Sequence, residues 1–158
     1  MEPDVKFLVD AMLGRLAKWL RLMGYDTLYE AAADDHDLVR LARAEGRILL
    51  TRDRELAKRR GLTSLLIESD RFDEQLAQLL RDLQLSSQTS APRCARCNTL
   101  LEALDRKEAK GRVPSYVFSR YEKFTLCPQC DRVYWQGTHW QRMRQRIEDI
   151  RERAVTPP

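Results

Sequence analysis

Residues 5–10 read VKFLVD and residues 47–53 read RILLTRD. Each stretch is a short apolar run followed by an aspartate, which is typical of a buried strand that ends at the edge of a sheet. A carboxylate in that place is costly to remove from water unless it is hydrogen bonded, paired with a basic side chain or bound to a metal ion. The two stretches therefore predict the centre of the fold and a candidate site together.

Strand and helix patterns alternate around these two stretches. Short apolar runs predict four strands, over residues 5–9, 27–29, 47–51 and 64–67. Apolar residues at helical spacing predict four helices, over residues 12–23, 34–46, 54–60 and 72–85. This order predicts an α/β fold in which a parallel sheet of about four strands has helices on both faces. Ligands of such sheets bind beyond the carboxyl ends of the strands.

Acidic side chains recur at that edge of the predicted sheet. Asp10 ends the first strand and Asp53 follows the third. Asp35 opens the helix after the second strand, and Asp70 follows the fourth. Carboxylates gathered together repel one another, and Mg²⁺ or Mn²⁺ relieves the repulsion by binding their oxygens. Taken singly, each aspartate is better explained as a helix N-cap, whereas Asp10 and Asp53 together favour a site.

The chain lacks the sequence motifs of several classes of protein. The sequence after the first predicted strand, DAMLGRL, matches neither the dinucleotide-binding nor the P-loop glycine pattern. With His36 and His139 as the only histidines, no nucleophile–histidine set is credible. No apolar stretch approaches the length of a membrane span, and the N-terminus lacks the features of a signal peptide. We therefore expect a cytoplasmic protein with no membrane partner.

Four cysteines form two C-x-x-C pairs, Cys94 with Cys97 and Cys127 with Cys130. In a reducing compartment this spacing favours four thiolates on one structural zinc ion over disulfides or a thioredoxin-like redox pair. The polar stretch SSQTSAPR at residues 86–93 predicts a linker. We expect a first domain at residues 1–85 and a zinc-ribbon domain with a basic C-terminal helix at residues 94–158.

Charge is distributed unevenly between the two halves. Residues 1–85 hold 14 Lys and Arg against 16 Asp and Glu, whereas residues 86–158 hold 14 against 8. A basic second half with interleaved aromatic residues favours a polyanion partner such as a nucleic acid, and a solvated helix face is the alternative. Candidate phosphate contacts are Arg142 and Arg144 on the predicted C-terminal helix, and Arg15, Lys18, Arg21 and Arg52 around the acidic edge. For Lys18 and Arg21 a solvated helix face is favoured.

Long motifs in this chain resemble one known family. They are FLVDAMLGRLAKWLRLMGYDT at residues 7–27, DDHDLVRLARAEGRILLTRDRELA at 34–57, CARCNTLL at 94–101, the Val113-Pro114 step, and CPQCDRVYWQGTHWQRM at 127–143. In this order they resemble the Mut-seven C-terminal RNase family, in which a PIN-like nuclease domain is followed by a zinc ribbon. The resemblance extends from about residue 6 to residue 145.

The resemblance implies a metal-dependent ribonuclease that hydrolyses RNA phosphodiesters. It implies Asp10, Asp35 and Asp53 as catalytic residues that hold magnesium or manganese, with Thr51 supporting Asp53. Asp34 and Asp37 compete with Asp35 for its place, and Asp70 is the nearest match to a fourth acid. Two hypotheses of another kind stay open: a non-catalytic RNA- or ribosome-binding module, and a protein-interaction adaptor on the same fold.

Overall fold

The structure is a computed structural model that describes residues 5–86 and 91–155. Residues 87–90, the middle of the predicted linker, lie outside the described residues. In the first half, four strands alternate with four helices: β1 Lys6–Val9, α1 Gly14–Leu22, β2 Asp26–Tyr29, α2 Asp35–Glu45, β3 Ile48–Thr51, α3 Arg54–Ala57, β4 Ser64–Leu66 and α4 Phe72–Asp82. A 3₁₀ helix over Ala11–Leu13 precedes α1.

The four strands form one parallel sheet in the order β2-β1-β3-β4. The predicted α/β fold with four parallel strands is therefore confirmed. The elements lie close to the predicted ranges, although α3 ends at Ala57 rather than near residue 60. Gly46 ends α2 in the left-handed conformation, with φ of 64° and its backbone N–H bonded to the Ala42 carbonyl.

Alternating side chains of the sheet contact different helices, because successive residues of a strand point to opposite faces. Phe7 and Val9 belong to a buried cluster with residues of α1 and α4. Leu8, between them, belongs to a second cluster with residues of α2 and α3. The sheet thus has helices on both faces. Polar side chains are therefore expected beyond the ends of its strands.

The second half contains a small antiparallel sheet and three helices. Its elements are β5 Glu102–Leu104, α5 Arg106–Ala109, α6 Ser115–Arg120, β6 Phe124–Cys127, β7 Arg132–Trp135 and α7 Thr138–Val155. The strands pair in the order β5-β6-β7. Leu104, Ala109, Val117 and Phe124 form the buried core of this sheet. Among the described helices, none has both the length and the apolar composition that crossing a bilayer requires.

The C-terminal helix α7 packs away from that small core and onto the first half of the chain. Met143, Ile147 and Ile150 are at most 9% exposed and belong to the same cluster as Phe7 and Val9. The apolar spacing of these residues places one face of α7 against α4. The division of the chain into two domains stays a prediction, but α7 shares its core with residues 5–86 rather than with the antiparallel sheet.

Candidate functional site

Asp10 lies directly after β1, where it caps the 3₁₀ helix. Its Oδ1 accepts a hydrogen bond from the Met12 backbone N–H at 3.1 Å, and its Oδ2 accepts one from the Thr51 hydroxyl. Asp10 is 8% exposed, and no described basic side chain forms an ion pair with it. A carboxylate that is buried without a basic partner favours an added cation.

Asp53 lies on the other side of the same threonine. The fully buried Thr51 Oγ1 accepts a hydrogen bond from the Asp53 backbone N–H at 3.0 Å. The Asp53 Oδ1 caps α3 by accepting from the backbone N–H groups of Glu55 and Leu56, at 2.9 and 3.2 Å. Thr51 therefore holds the Asp10 carboxylate and the start of the Asp53 turn together, whereas the sequence predicted support of Asp53 alone.

The acidic residues after β2 lie at the start of α2. Asp34 is the N-cap, since its Oδ1 accepts from the Asp37 backbone N–H at 2.9 Å. Asp37 forms an exposed ion pair with Arg40 at 3.2 Å. Asp35 is the first residue of the helix and is exposed. Of these three, Asp35 is the one left without a capping bond or an ion pair among the described contacts, so its carboxylate is free to bind another group.

The predicted three-acid site is not a compact cluster in this structure. Within residues 5–86 and 91–155, the four cysteines are the one group of three or more ligand residues whose ligand atoms all lie within 4.8 Å of one another. The oxygens of Asp10, Asp35 and Asp53 are therefore not all that close. Asp70 is exposed and precedes α4 without capping it, because the N-cap is Arg71. The assignment of these acids stays a prediction.

Tyr29 borders the acidic edge, and the sequence patterns did not single it out. It ends β2, in register with Val9 of β1. Its hydroxyl donates to the Ala11 carbonyl at 2.8 Å, and its ring lies against Gly14, where an added Cβ would meet Oη at 3.1 Å. The parallel pairing of β1 with β2 could have identified Tyr29. It places Asp10, which follows Val9, beside the end of β2.

The predicted phosphate contacts occupy different environments. Arg15 is exposed, and its guanidinium carbon lies 4.3 Å from the centre of the Phe72 ring. Arg52 makes one long contact, 3.5 Å to the Glu68 carbonyl, and its Nε is buried without a partner among the described residues. Arg142 and Arg144 are exposed on α7. Contact of these four arginines with a substrate stays a prediction.

Arg21 is not on a solvated helix face. Only 8% of it is exposed, and its Nε donates to the Thr27 carbonyl at 2.8 Å. Its Nη1 donates to the carbonyls of Ala95 and Arg96, at 3.0 and 3.3 Å. Burial lowers the pKa of Arg21 from its ordinary value, although the nearby Cys97 and Cys94 oppose that shift. Arg21 thus joins α1 to the first cysteine pair instead of facing water.

The four cysteines converge as their spacing predicted. Their Sγ atoms all lie within 4.8 Å of one another, those of Cys97 and Cys127 are 3.4 Å apart, and all four thiols are free. Tetrahedral zinc with sulfur ligands at about 2.3 Å separates the sulfurs by about 3.8 Å. The cluster therefore fits one four-coordinate metal ion such as zinc, and with the three antiparallel strands it is consistent with a zinc ribbon.

The two cysteine turns have the same backbone geometry. Asn98 and Asp131, each following the second cysteine of its pair, adopt positive φ of 74° and 56°. Their backbone N–H groups donate to the carbonyls of Cys94 and Cys127, at 2.9 and 2.8 Å. Asn and Asp accept this left-handed conformation more readily than most residues. Each C-x-x-C pair is therefore closed by a residue suited to the turn.

The thiols of the cluster titrate as a group. Burial raises the pKa of the Cys97 thiol, but hydrogen bonds from Thr99 and from neighbouring cysteines outweigh it and lower that pKa to about 6. The hydrogen bond with Cys97, together with burial, raises the pKa of the Cys130 thiol to about 12. Thiolates this close repel one another, so complete ionisation of the four needs a cation. The chemistry of the donor set agrees with its geometry.

The first cysteine turn contacts the edge strand of the parallel sheet. The Asn98 Oδ1 accepts from the Thr27 backbone N–H at 2.9 Å, and its Nδ2 donates to Asp26 at 2.7 Å. The Arg93 backbone N–H donates to the Arg21 carbonyl at 2.9 Å. The bond from Thr27 satisfies a backbone group on an edge of β2 that would otherwise face water or another chain. The first cysteine turn and the parallel sheet are therefore joined by specific hydrogen bonds.

Comparison with known proteins agrees with the motifs and the geometry. A family model, the Mut7-C RNAse domain, matches residues 5–147. The match includes Asp10 and Asp53 with the strands that precede them, all four cysteines and the first part of α7. No curated protein and no solved structure matches the chain significantly. Because the family model accounts for most of the chain, the resemblance predicted from the motifs is confirmed: the chain belongs to the Mut7-C RNAse domain family.

Proposed function

We propose that this protein is a divalent-metal-dependent ribonuclease of the PIN-like type, which hydrolyses RNA phosphodiesters at the carboxyl edge of its parallel sheet. Membership of an RNase domain family supports nuclease function at the coarse level. The observation that carries the finer proposal is the buried Asp10 carboxylate, which has no basic partner among the described residues and is joined to the Asp53 turn through Thr51. This arrangement suits a cation-binding acid better than a simple helix cap.

The residues of this edge fit magnesium or manganese. Both ions prefer oxygen ligands, and Asp10, Asp35 and Asp53 offer carboxylate oxygens that no described basic side chain occupies. A bound divalent cation supplies two effects: it lowers the pKa of a coordinated water, and it stabilises negative charge on the phosphate. Asp35 would complete the ligand set by approaching from the start of α2.

The remaining residues position the carboxylates and the RNA. Thr51 orients Asp10 by donating to its Oδ2. Arg15 and Arg52 would contact phosphates beside the cleaved bond, and Arg52 Nη2 makes only one long contact among the described residues, 3.5 Å to the Glu68 carbonyl. Arg142 and Arg144 would contact the RNA backbone farther along α7. Zinc at the four cysteines would be structural, because four thiolates leave no open coordination position.

A non-catalytic RNA-binding module is the second candidate. It is favoured by one observation: the oxygens of Asp10, Asp35 and Asp53 do not form a compact group within the described residues. On this hypothesis the acids serve as helix caps, as Asp53 does for α3, and the basic residues alone interact with RNA.

Substitution of the acids separates the two candidates. Asp10→Asn and Asp53→Asn should each reduce manganese-dependent cleavage of a fluorescent RNA by at least about a hundredfold, since even the loss of a group that supports a ligand costs about 10–100-fold. RNA affinity should stay the same or rise, because a negative charge is removed near a polyanion. The matched control is Asp82→Asn at the far end of α4, where an exposed aspartate pairs with Arg81.

The outcome is read from cleavage and manganese binding together. Loss of both in the Asp10 and Asp53 variants, with the Asp82 variant active, supports the nuclease. A wild-type protein that binds RNA but neither binds manganese by calorimetry nor cleaves RNA would establish the non-catalytic module instead.

A further inference from the structure

The aromatic residues of the second half are buried or partly buried, with one exception. Phe124 is 3% exposed in the small core. The Tyr134 hydroxyl lies 3.1 Å from the Cys94 Sγ, so that residue contacts the cysteine cluster. Trp140 packs against the core of the first half. Tyr116, by contrast, is 72% exposed, the highest value among the described large apolar side chains.

The position of Tyr116 follows from the short helix that carries it. Pro114 precedes α6, which is compatible with the fixed φ of proline. Val117 is 1% exposed and anchors α6 to the small core. Tyr116 and Arg120 are four residues apart, so they lie on the same side of the helix, one turn from each other. Both are exposed, and the Arg120 guanidinium carbon lies 6.0 Å from the centre of the Tyr121 ring.

The surroundings of this helix are strongly basic. Residues 106–123 contain six Lys and Arg against two Glu and no Asp. All six basic residues are exposed. Arg112 pairs with Asp131 at 2.7 Å, and Arg106 lies over the Phe118 ring at 3.8 Å. The other four have no ion pair in the part of the chain that the structure describes; they are Lys107, Lys110, Arg120 and Lys123.

We propose that Tyr116, together with Arg120 and Lys123, forms a binding surface for single-stranded RNA, which we call the Tyr116 surface. The ring would stack on one unpaired base while the two cations contact the neighbouring phosphates. The inference rests on the proposed ribonuclease function, because it assigns this surface to a segment of the same substrate, away from the acidic edge.

The chemistry of the surface favours a single strand over other polyanions. Base faces inside a duplex are already stacked, so an exposed tyrosine finds a partner only where bases are unpaired. An acidic peptide would engage the cations but would leave the ring without a flat partner. An exposed ring among unpaired cations therefore matches a chain that combines phosphates with free bases.

Binding measurements with three variants test the Tyr116 surface. Fluorescence anisotropy would follow a short oligouridylate in the Asp10→Asn background, which keeps the RNA intact. Tyr116→Ala should weaken binding by about tenfold, the effect of losing one stacked base. Tyr116→Phe keeps the ring and should bind nearly as well as the parent. Leu100→Ala is the matched control, because it removes another exposed apolar side chain, 48% exposed, outside this surface.

Charge and strandedness give two further readouts. Arg120→Ala should reduce the slope of log affinity against log salt by about one, the value for one lost phosphate contact. The same sequence as a duplex should bind more weakly and with no dependence on Tyr116. Circular dichroism and thermal unfolding of each variant should match the parent, because the substituted side chains are exposed.

The results distinguish failure of this inference from failure of the proposed function. If Tyr116→Ala binds the oligouridylate as tightly as the parent, or if Tyr116 matters for an acidic peptide instead, the Tyr116 surface is refuted even though Asp10 and Asp53 still govern cleavage. If Tyr116→Ala loses affinity while the wild-type protein cleaves no RNA with manganese, the surface stands and the nuclease does not.

Discussion

The Thr51 hydroxyl donates a hydrogen bond to the Asp10 carboxylate across two neighbouring strands. The register of β1 and β3 explains this contact, because Val9 pairs with Leu50 and the residues that follow them therefore meet. Thr51 is completely buried, so water cannot replace its hydroxyl. Thr51 therefore fixes the Asp10 Oδ2, while the Met12 backbone N–H fixes Oδ1.

Thr51→Val should lower both the cleavage activity and the stability of the fold. The variant keeps the shape of the side chain but removes the donor to the Asp10 Oδ2 and the acceptor of the Asp53 backbone N–H, which costs about 1–3 kcal/mol of unfolding free energy. RNA cleavage should fall by about 10–100-fold, as for other groups that orient metal ligands. Urea unfolding and cleavage assays measure the two effects.

Thr51→Ser is the control, because serine retains the hydroxyl and β3 needs only a small side chain there. It should restore most of the activity that valine loses. Equal activity of the Val and Ser variants would mean that Thr51 does not orient Asp10 for the reaction.

Metal removal should loosen the edge of the parallel sheet. The Thr27 backbone N–H is bonded to the Asn98 side chain, which follows the first cysteine pair. Without the metal the cysteine turn loses its constraint, and hydrogen exchange at Thr27 should accelerate at least about tenfold. The Leu50 amide, in the central strand β3, should keep its protection because it depends on strand pairing alone.

Asn98→Gly gives the same readout with the metal in place, because glycine tolerates the positive φ of 74° at this position. It removes the acceptor of the Thr27 N–H and the donor to Asp26, so exchange at Thr27 should again accelerate. Exchange that is unchanged in both experiments would show that the metal centre does not support β2.

Asp26 should make the protein sensitive to acid. Burial opposes ionisation of its carboxyl, but hydrogen bonds from Arg47 and Asn98 outweigh burial and lower its pKa below the ordinary value. The stabilisation is therefore complete above the unfolded-state pKa of about 3.9 and is lost as pH falls through the lower folded-state value. Wild type should exceed Asp26→Asn in unfolding free energy at neutral pH, and the gap should shrink below about pH 4.

The prediction is tested by the difference in unfolding free energy between wild type and Asp26→Asn, because acid also protonates the cysteines of both proteins. Asp82→Asn, an exposed aspartate, should run parallel to wild type over the same pH range. A gap between wild type and Asp26→Asn that stays constant into strong acid would argue against ionisation of Asp26 as its source.

Local patterns predicted the sheet, the helices and the cysteine cluster, because hydrophobic periodicity and C-x-x-C spacing are properties of short segments. The contacts of Arg21 Nη1 could not be predicted from local patterns, because their acceptors are the carbonyls of Ala95 and Arg96, more than 70 positions away along the chain. On a sequence pattern Arg21 looks like any basic residue of an amphipathic helix. How closely the carboxylates of Asp10, Asp35 and Asp53 approach one another was equally beyond a pattern, since it depends on where a loop places the start of α2.

The C-terminal helix α7 is expected to have two roles: its apolar face packs onto the first half of the chain, and its basic face contacts RNA. Ile147 is 3% exposed against the core of the first half, so Ile147→Ala should lower the unfolding free energy of the whole protein by about 2–5 kcal/mol. Arg142 is exposed, so Arg142→Ala should leave stability within about 0.5 kcal/mol of wild type. If Arg142 contacts an RNA phosphate, its loss should weaken RNA binding in a salt-dependent way. Unfolding in two separate transitions, with Ile147→Ala changing only one, would show that α7 is an independent element; a single shifted transition would show that it completes the core beneath the acidic edge.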